Sequence, residues 1–126
     1  MARSQPRPTD AELAILRVLW ERGASTVRQV HEALATRETG YTTTLKLMQI
    51  MAEKGLVKRN ETERSHVYSA SAGEEQTQRQ LVQDLVDRAF GGSAAQLVLR
   101  ALSAEGASDA ELTEIRKLID DYREKR

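Results

Sequence analysis

The chain has 126 residues and a mass of 14.1 kDa, enough for one domain or one small domain with an appendage. There is no cysteine and there are only two histidines, which excludes disulfides, thiolate metal sites, iron–sulfur clusters and a Cys nucleophile, and no cofactor or metal is expected. The net charge is +0, but residues 1–70 carry 11 Lys/Arg against 8 Asp/Glu, a net of +3, and the rest carries the matching −3.

A basic front half and an acidic back half point to two jobs. Aromatic residues are only 4%, so the core is expected to be aliphatic, built from Leu, Val, Ile and Ala. No run of about 18 apolar residues exists to span a membrane. The opening residues are polar, with Arg3, Pro6, Arg7 and Pro8, and lack the apolar stretch of a signal peptide. Residues 1–8 are therefore read as a flexible arm and the compartment as the cytoplasm.

Thr9-Asp10-Ala11-Glu12 fits a capping box and predicts a first helix, with Leu13, Leu16, Leu19 and Trp20 at helical spacing and Gly23 as its stop. Ser25 and Thr26 restart the chain. Thr26-Val27-Arg28-Gln29 is a second box, Val27, Val30 and Leu34 mark one face, and Gly40 breaks this helix. Thr42-Thr43-Thr44 leads a third helix with Leu45, Met48 and Ala52 as its buried stripe, flanked by Leu47 and Met51, and Gly55 ends it. Three helices of about 10–14 residues thus fill the first 55 positions.

The period then changes from 3.6 to 2. Residues 56–59 and 66–69 predict two short strands around the polar loop 60–65, a β-hairpin with a charged tip that must lean on the helices. A third capping box, Ser71 to Glu74, opens a helix with Leu81, Val82, Leu85, Val86, Ala89 and Phe90 on a wide apolar face, stopped by Gly91-Gly92. A short helix carries Leu97, Val98, Ala101 and Leu102. A fourth box, Ser108 to Glu111, opens the last helix, striped by Leu112, Ile115, Leu118, Ile119 and Tyr122. The charged end, Arg123 to Arg126, is expected to fray.

Three helices and a hairpin in this order predict a winged helix-turn-helix over 9–70, followed by a three-helix segment over 71–126; the fold class is mainly α with a small β-hairpin. In such a module the third helix enters the major groove and the hairpin wing lies along the backbone or minor groove. Thr42, Thr43, Lys46, Gln49 and Ile50 fall on the side of that helix away from its buried stripe. Lys46 can reach guanine or a phosphate, Gln49 can serve adenine, and Thr methyls can touch a thymine methyl. Lys58, Arg59 and Arg64 on the wing are candidate phosphate contacts, with His66 beside them. His31 reads as a packed helix residue. Asp120-Asp121 and Glu74-Glu75 are adjacent rather than facing pairs, so no acid–base constellation is present.

The C-terminal stripes exceed what residues 71–126 can bury alone, which predicts a homodimer through Leu81, Leu85, Phe90, Leu97, Leu102, Leu112, Ile115, Leu118, Ile119 and Tyr122. Two other readings are open: a winged-helix regulator released by a small ligand, and a winged-helix adaptor that binds protein. Few aromatics and no polar groups within the stripes argue against a ligand pocket, and an adaptor has no use for Lys46 or a basic wing.

Several segments resemble the penicillinase and methicillin-resistance repressors (BlaI/MecI type). They are Thr9 to Glu21, Tyr41-Thr42-Thr43-Thr44-Leu45 through Glu53-Lys54-Gly55-Leu56-Val57, His66-Val67-Tyr68, Phe90-Gly91-Gly92, Leu97-Val98-Leu99 and Ile115-Arg116. The Gly-Gly followed by Leu-Val-Leu is the more specific part. The resemblance spans about residues 8–120 and brings Tyr41 into the candidate DNA-contacting set. It implies a homodimeric repressor on a palindromic operator. It also implies a membrane sensor metallopeptidase whose activation leads to cleavage of the repressor. That bond would fall near Arg100-Ala101, where this chain departs from the Asn-Phe of the penicillinase repressors. A copper-responsive branch uses C-terminal cysteines, which this chain lacks.

Overall fold

The computed structural model describes residues 7–34, 40–62 and 64–125; most of the expected arm lies outside them. The chain divides into two compact units, 1–81 and 82–126.

In the first unit, helix α1 runs Asp10–Arg22. Its box closes as expected: the Glu12 amide donates to Thr9 Oγ1 at 3.2 Å and the Thr9 amide to Glu12 Oε1 at 2.9 Å. Gly23 takes φ 87°, which suits glycine, and ends the helix. Ser25–Thr26 is more than a restart. It forms strand β1, pairing Ser25 with Tyr68 and Thr26 with Val67. Helix α2 runs Val27–Ala33 behind a Thr26/Gln29 box. Its seven residues fall short of the 10–14 expected, because Leu34 already turns to extended backbone. Positions 35–39, before the expected break at Gly40, lie outside the described residues.

Helix α3, Tyr41–Lys54, begins after Gly40, which offers no side-chain cap. The three threonines therefore sit inside its first turn. Thr44, Met48 and Met51 are the buried row, at the i, i+4, i+7 spacing of one helical face. Leu45, Leu47 and Ala52 pack half-buried beside it. Gly55 ends the helix in the left-handed region at φ 85°. The Leu56 amide then donates back to Met51 O at 2.9 Å. That bond takes up the Leu56 amide, and strand β2 is Val57–Asn60, one residue later than the spacing predicts. Strand β3, Val67–Ala70, shifts likewise. Register pairs Val57 with Ala70 and Asn60 with Val67, and the sheet order is β1-β3-β2. Three helices and this antiparallel sheet make a winged helix.

The core joins Ile15, Leu16 and Leu19 of α1 to Val27 and Val30, Met48 and Met51, Leu56, Val57 and Tyr68. It is not purely aliphatic: Tyr68 is fully buried, and unbranched methionines fill the space between helices. Trp20 packs against this core and donates its indole N–H to Ala72 O at 2.9 Å.

Glu12 is buried as well, and Lys54 Nζ reaches both of its oxygens at 2.9–3.0 Å. Burial alone would raise this carboxyl, but the Thr9 amide and the Lys54 ammonium together hold it below its ordinary value. The pair ties the start of α1 to the end of α3. Glu12→Ala loses a cap and charge-assisted hydrogen bonds, and is expected to cost about 2 kcal/mol in urea unfolding at neutral pH. A depressed folded-state carboxyl stabilises above its unfolded value and less as acid titrates it. The gap between wild type and variant should therefore shrink as pH falls below the ordinary glutamate value of 4.5. A gap that stays constant to pH 3 or so would show that neither the Thr9 nor the Lys54 bond to the ionised carboxylate contributes, and would assign the loss to packing.

Helix α4, Glu74–Ala89, starts three residues after Ser71, so the box expected there is not the cap. The Ser71 amide instead donates to Leu56 O at 2.9 Å and prolongs the hairpin. In the second unit, Gly91 and Gly92 take positive φ and the Gly92 amide closes α4 on Val86 O at 2.9 Å. Helix α5, Ala94–Glu105, is capped by Ser93. Helix α6, Asp109–Glu124, opens with the Ser108/Glu111 box and stays helical through Glu124, further than the expected fraying allowed. Among the described residues of this unit only Val86 is buried.

Candidate nucleic-acid interface

The sequence-predicted residues separate into three groups. The first lies on the outer face of α3. Thr42, Thr43, Lys46 and Gln49 are exposed and Ile50 is half-buried, while Thr44, Met48 and Met51 hold the opposite face in the core. Positions 42, 46, 49 and 50 follow the i, i+4, i+7, i+8 row of a single face. Gly40 supplies no side-chain cap to α3, and the Thr43 amide donates to Gly40 O at 3.1 Å in its first turn.

The second group lines a cleft of about 380 Å³ between α2, α3 and the wing. It brings Tyr41 and Gln49 of α3 together with Arg59, Arg64 and His66 of the hairpin. The third group is Lys58 alone. Side chains alternate along a strand, so Lys58 points to the face of β2 opposite Val57 and Arg59, exposed and outside the cleft.

Arg28 lines the cleft too, and a second α2 residue, His31, reaches the Tyr41 ring. Arg28 of α2 places its guanidinium carbon 4.9 Å from the centre of the Tyr41 ring. His31 meets that ring edge-on, with centres 5.9 Å apart and planes at 88°. Its Nδ1 lies 2.9 Å from Thr44 Oγ1. Tyr41 thus touches two α2 side chains, and the start of α3 is fixed on α2 by a cation–π contact, an edge contact and a hydrogen bond. Arg28 did leave a sequence signal. It is a cation in the first turn of a helix, where the macrodipole disfavours it, so its value lies elsewhere than in helix stability.

Three guanidinium groups and an imidazole lining one cleft suit a polyanion. Arg59 is also 3.2 Å from Glu61, which stands 3.9 Å from His66. Among the described residues no group of His, Asp and Glu is disposed to hold a metal ion. Asp84 pairs with Arg88 and Asp87 accepts from Gln83 along α4, as solvated helix neighbours do.

A family model described as "Penicillinase repressor" matches residues 8–121. The chain is 35% identical over 105 residues to the transcriptional regulator BlaI of Mycobacterium tuberculosis (strain ATCC 25618 / H37Rv), covering 81% of this chain and 76% of that protein. It is 24% identical over 126 residues to the penicillinase repressor of Staphylococcus aureus, covering 99% and 100%. Among solved structures, it is similar to the solution structure of the DNA binding domain of the repressor BlaI. The TM-score is 0.49 at 22% identity, over 58% of this chain and 90% of that one.

Proposed function

Because the chain belongs to the penicillinase repressor family, transcriptional regulators and not enzymes, we propose that it represses transcription as a homodimer on a palindromic DNA operator. The observation that carries this reading is the joint surface of the α3 outer face and the guanidinium-lined cleft. The exposed α3 row offers side chains to base edges, and Arg28, Arg59 and Arg64 offer charge to the flanking phosphates. We expect full-length protein to bind duplex DNA with an affinity that falls steeply as salt rises from about 50 to 200 mM. Salt-insensitive binding, or none, would point to the protein-binding adaptor instead.

Dimerisation through the second unit is supported by the side chains it leaves in water. Val82, Leu85, Val98, Leu99, Leu112, Leu118, Ile119 and Tyr122 are all at least 42% exposed. Monomeric proteins seldom leave so many large apolar groups uncovered within 45 residues. A two-fold mate covers them with the same surface.

The repressor works in the cytoplasm in this reading; among the described residues no helix is long and apolar enough to cross a membrane. Release of the operator follows cleavage near Arg100-Ala101, set off through a membrane sensor metallopeptidase. Both residues are exposed within α5. A protease needs extended backbone, so α5 must open locally before the bond is cut. Mass spectrometry of the protein from induced cells should show fragments that end near residue 100. Intact repressor leaving its operator on induction would exclude cleavage and favour release by a ligand.

A further inference from the structure

The wing carries an acid where a phosphate-binding surface has least use for one. We propose that Glu61 is an affinity brake: it competes with DNA phosphate for the Arg59 guanidinium and keeps the backbone contact of each wing weak. This inference rests on the DNA-binding reading above.

Local chemistry puts the carboxylate there. Asn60 Oδ1 accepts from the Thr62 amide at 2.9 Å and from the Thr62 hydroxyl at 2.8 Å, which turns the chain as β2 ends. Asn60 and Val67 are the last ladder pair before the tip. The next residues on each side are Glu61 and His66. Glu61 Oε1 then lies 3.2 Å from Arg59 Nη2 and 3.9 Å from His66 Nε2. Arg59 and His66 both line the cleft beside Tyr41 and Gln49. Arg59 also borders the neighbouring hollow with Gln49, Glu53 and Glu61. The guanidinium therefore carries a carboxylate at the junction of wing and α3.

The pair faces solvent, with the side chain of Arg59 36% exposed and that of Glu61 57%. Such pairs are weak, so a phosphate can displace Glu61 without prying apart a buried ion pair. Having to displace Glu61 from Arg59 lowers affinity by the same factor on every sequence, because phosphate contacts carry no base information. A base-reading role for Glu61, accepting from a cytosine amine, predicts the opposite sign on removal.

The test compares wild type, Glu61→Gln, Arg59→Ala and the double variant, all full length. Each is titrated by fluorescence anisotropy onto a mixed-sequence duplex of about 30 base pairs at several salt concentrations. Glu61→Gln should bind about two- to five-fold tighter per wing engaged. Its logarithmic salt slope should steepen by up to about one per wing. With Arg59→Ala the gain should vanish, since no guanidinium remains to be freed. Glu21→Gln, the same charge change on an exposed α1 position, should give no gain. If Glu61→Gln binds no tighter than wild type, or its gain survives Arg59→Ala, the brake is wrong and DNA binding stands. If wild type binds no duplex at any salt, both readings fall.

Discussion

A full-length chain carrying Leu118→Asp and Tyr122→Asp should bind its operator about 10²- to 10⁴-fold more weakly than wild type. The two residues are one helical turn apart on α6, and they are 60% and 64% exposed within the protomer. Charges there cost the isolated fold little, so the loss reports the missing mate. In the proposed dimer, one half-site holds the protein while the other rebinds at the effective concentration set by the tether. A monomer loses that second site. Sedimentation should show a wild-type dimer and a monomeric variant, and circular dichroism should show equal helix content. A wild-type chain that is monomeric at micromolar concentration, or a variant that stays dimeric, would end this account.

Lys46→Ala and Arg64→Ala should weaken binding in distinguishable ways. Lys46 stands on the exposed row of α3 and is proposed to meet a base edge. Its removal should cost about 1–3 kcal/mol on an operator selected from a random library and much less on mixed sequence. Arg64 lines the cleft from the wing side and is proposed to meet a phosphate. Its removal should weaken both duplexes alike and reduce the salt slope by about one. Equal losses on the two duplexes for Lys46→Ala would reassign it to the backbone.

Local signals were legible. The boxes at Thr9, Thr26 and Ser108 close within three residues, so neighbouring chemistry decides them wherever the helix sits. The same pattern at Ser71 failed because its amide was already engaged by Leu56, fifteen positions back. The outer row of α3 was legible too, since helical period alone separates it from Met48 and Met51.

By itself, then, the sequence determined the order of helices and hairpin, the face of α3 turned outward, and the apolar stripes of the last three helices. All of these depend on contacts within a few residues or on a repeat that one segment displays. Only the tertiary structure decided the rest. Strand β1 is two residues long and has no period to read; it exists because Tyr68 and Val67 supply its ladder. Glu12 looked like a capping residue alone until Lys54, 42 positions on, closed over it. Arg28 reaches the cleft because α2 packs its first turn against Tyr41. Lys58 and Arg59 are neighbours of the same charge, and the pleat of β2 sends one to the cleft and the other away from it. Each of these facts turns on side chains distant in the chain or on a strand's register. Their energies come from juxtapositions that no local window contains.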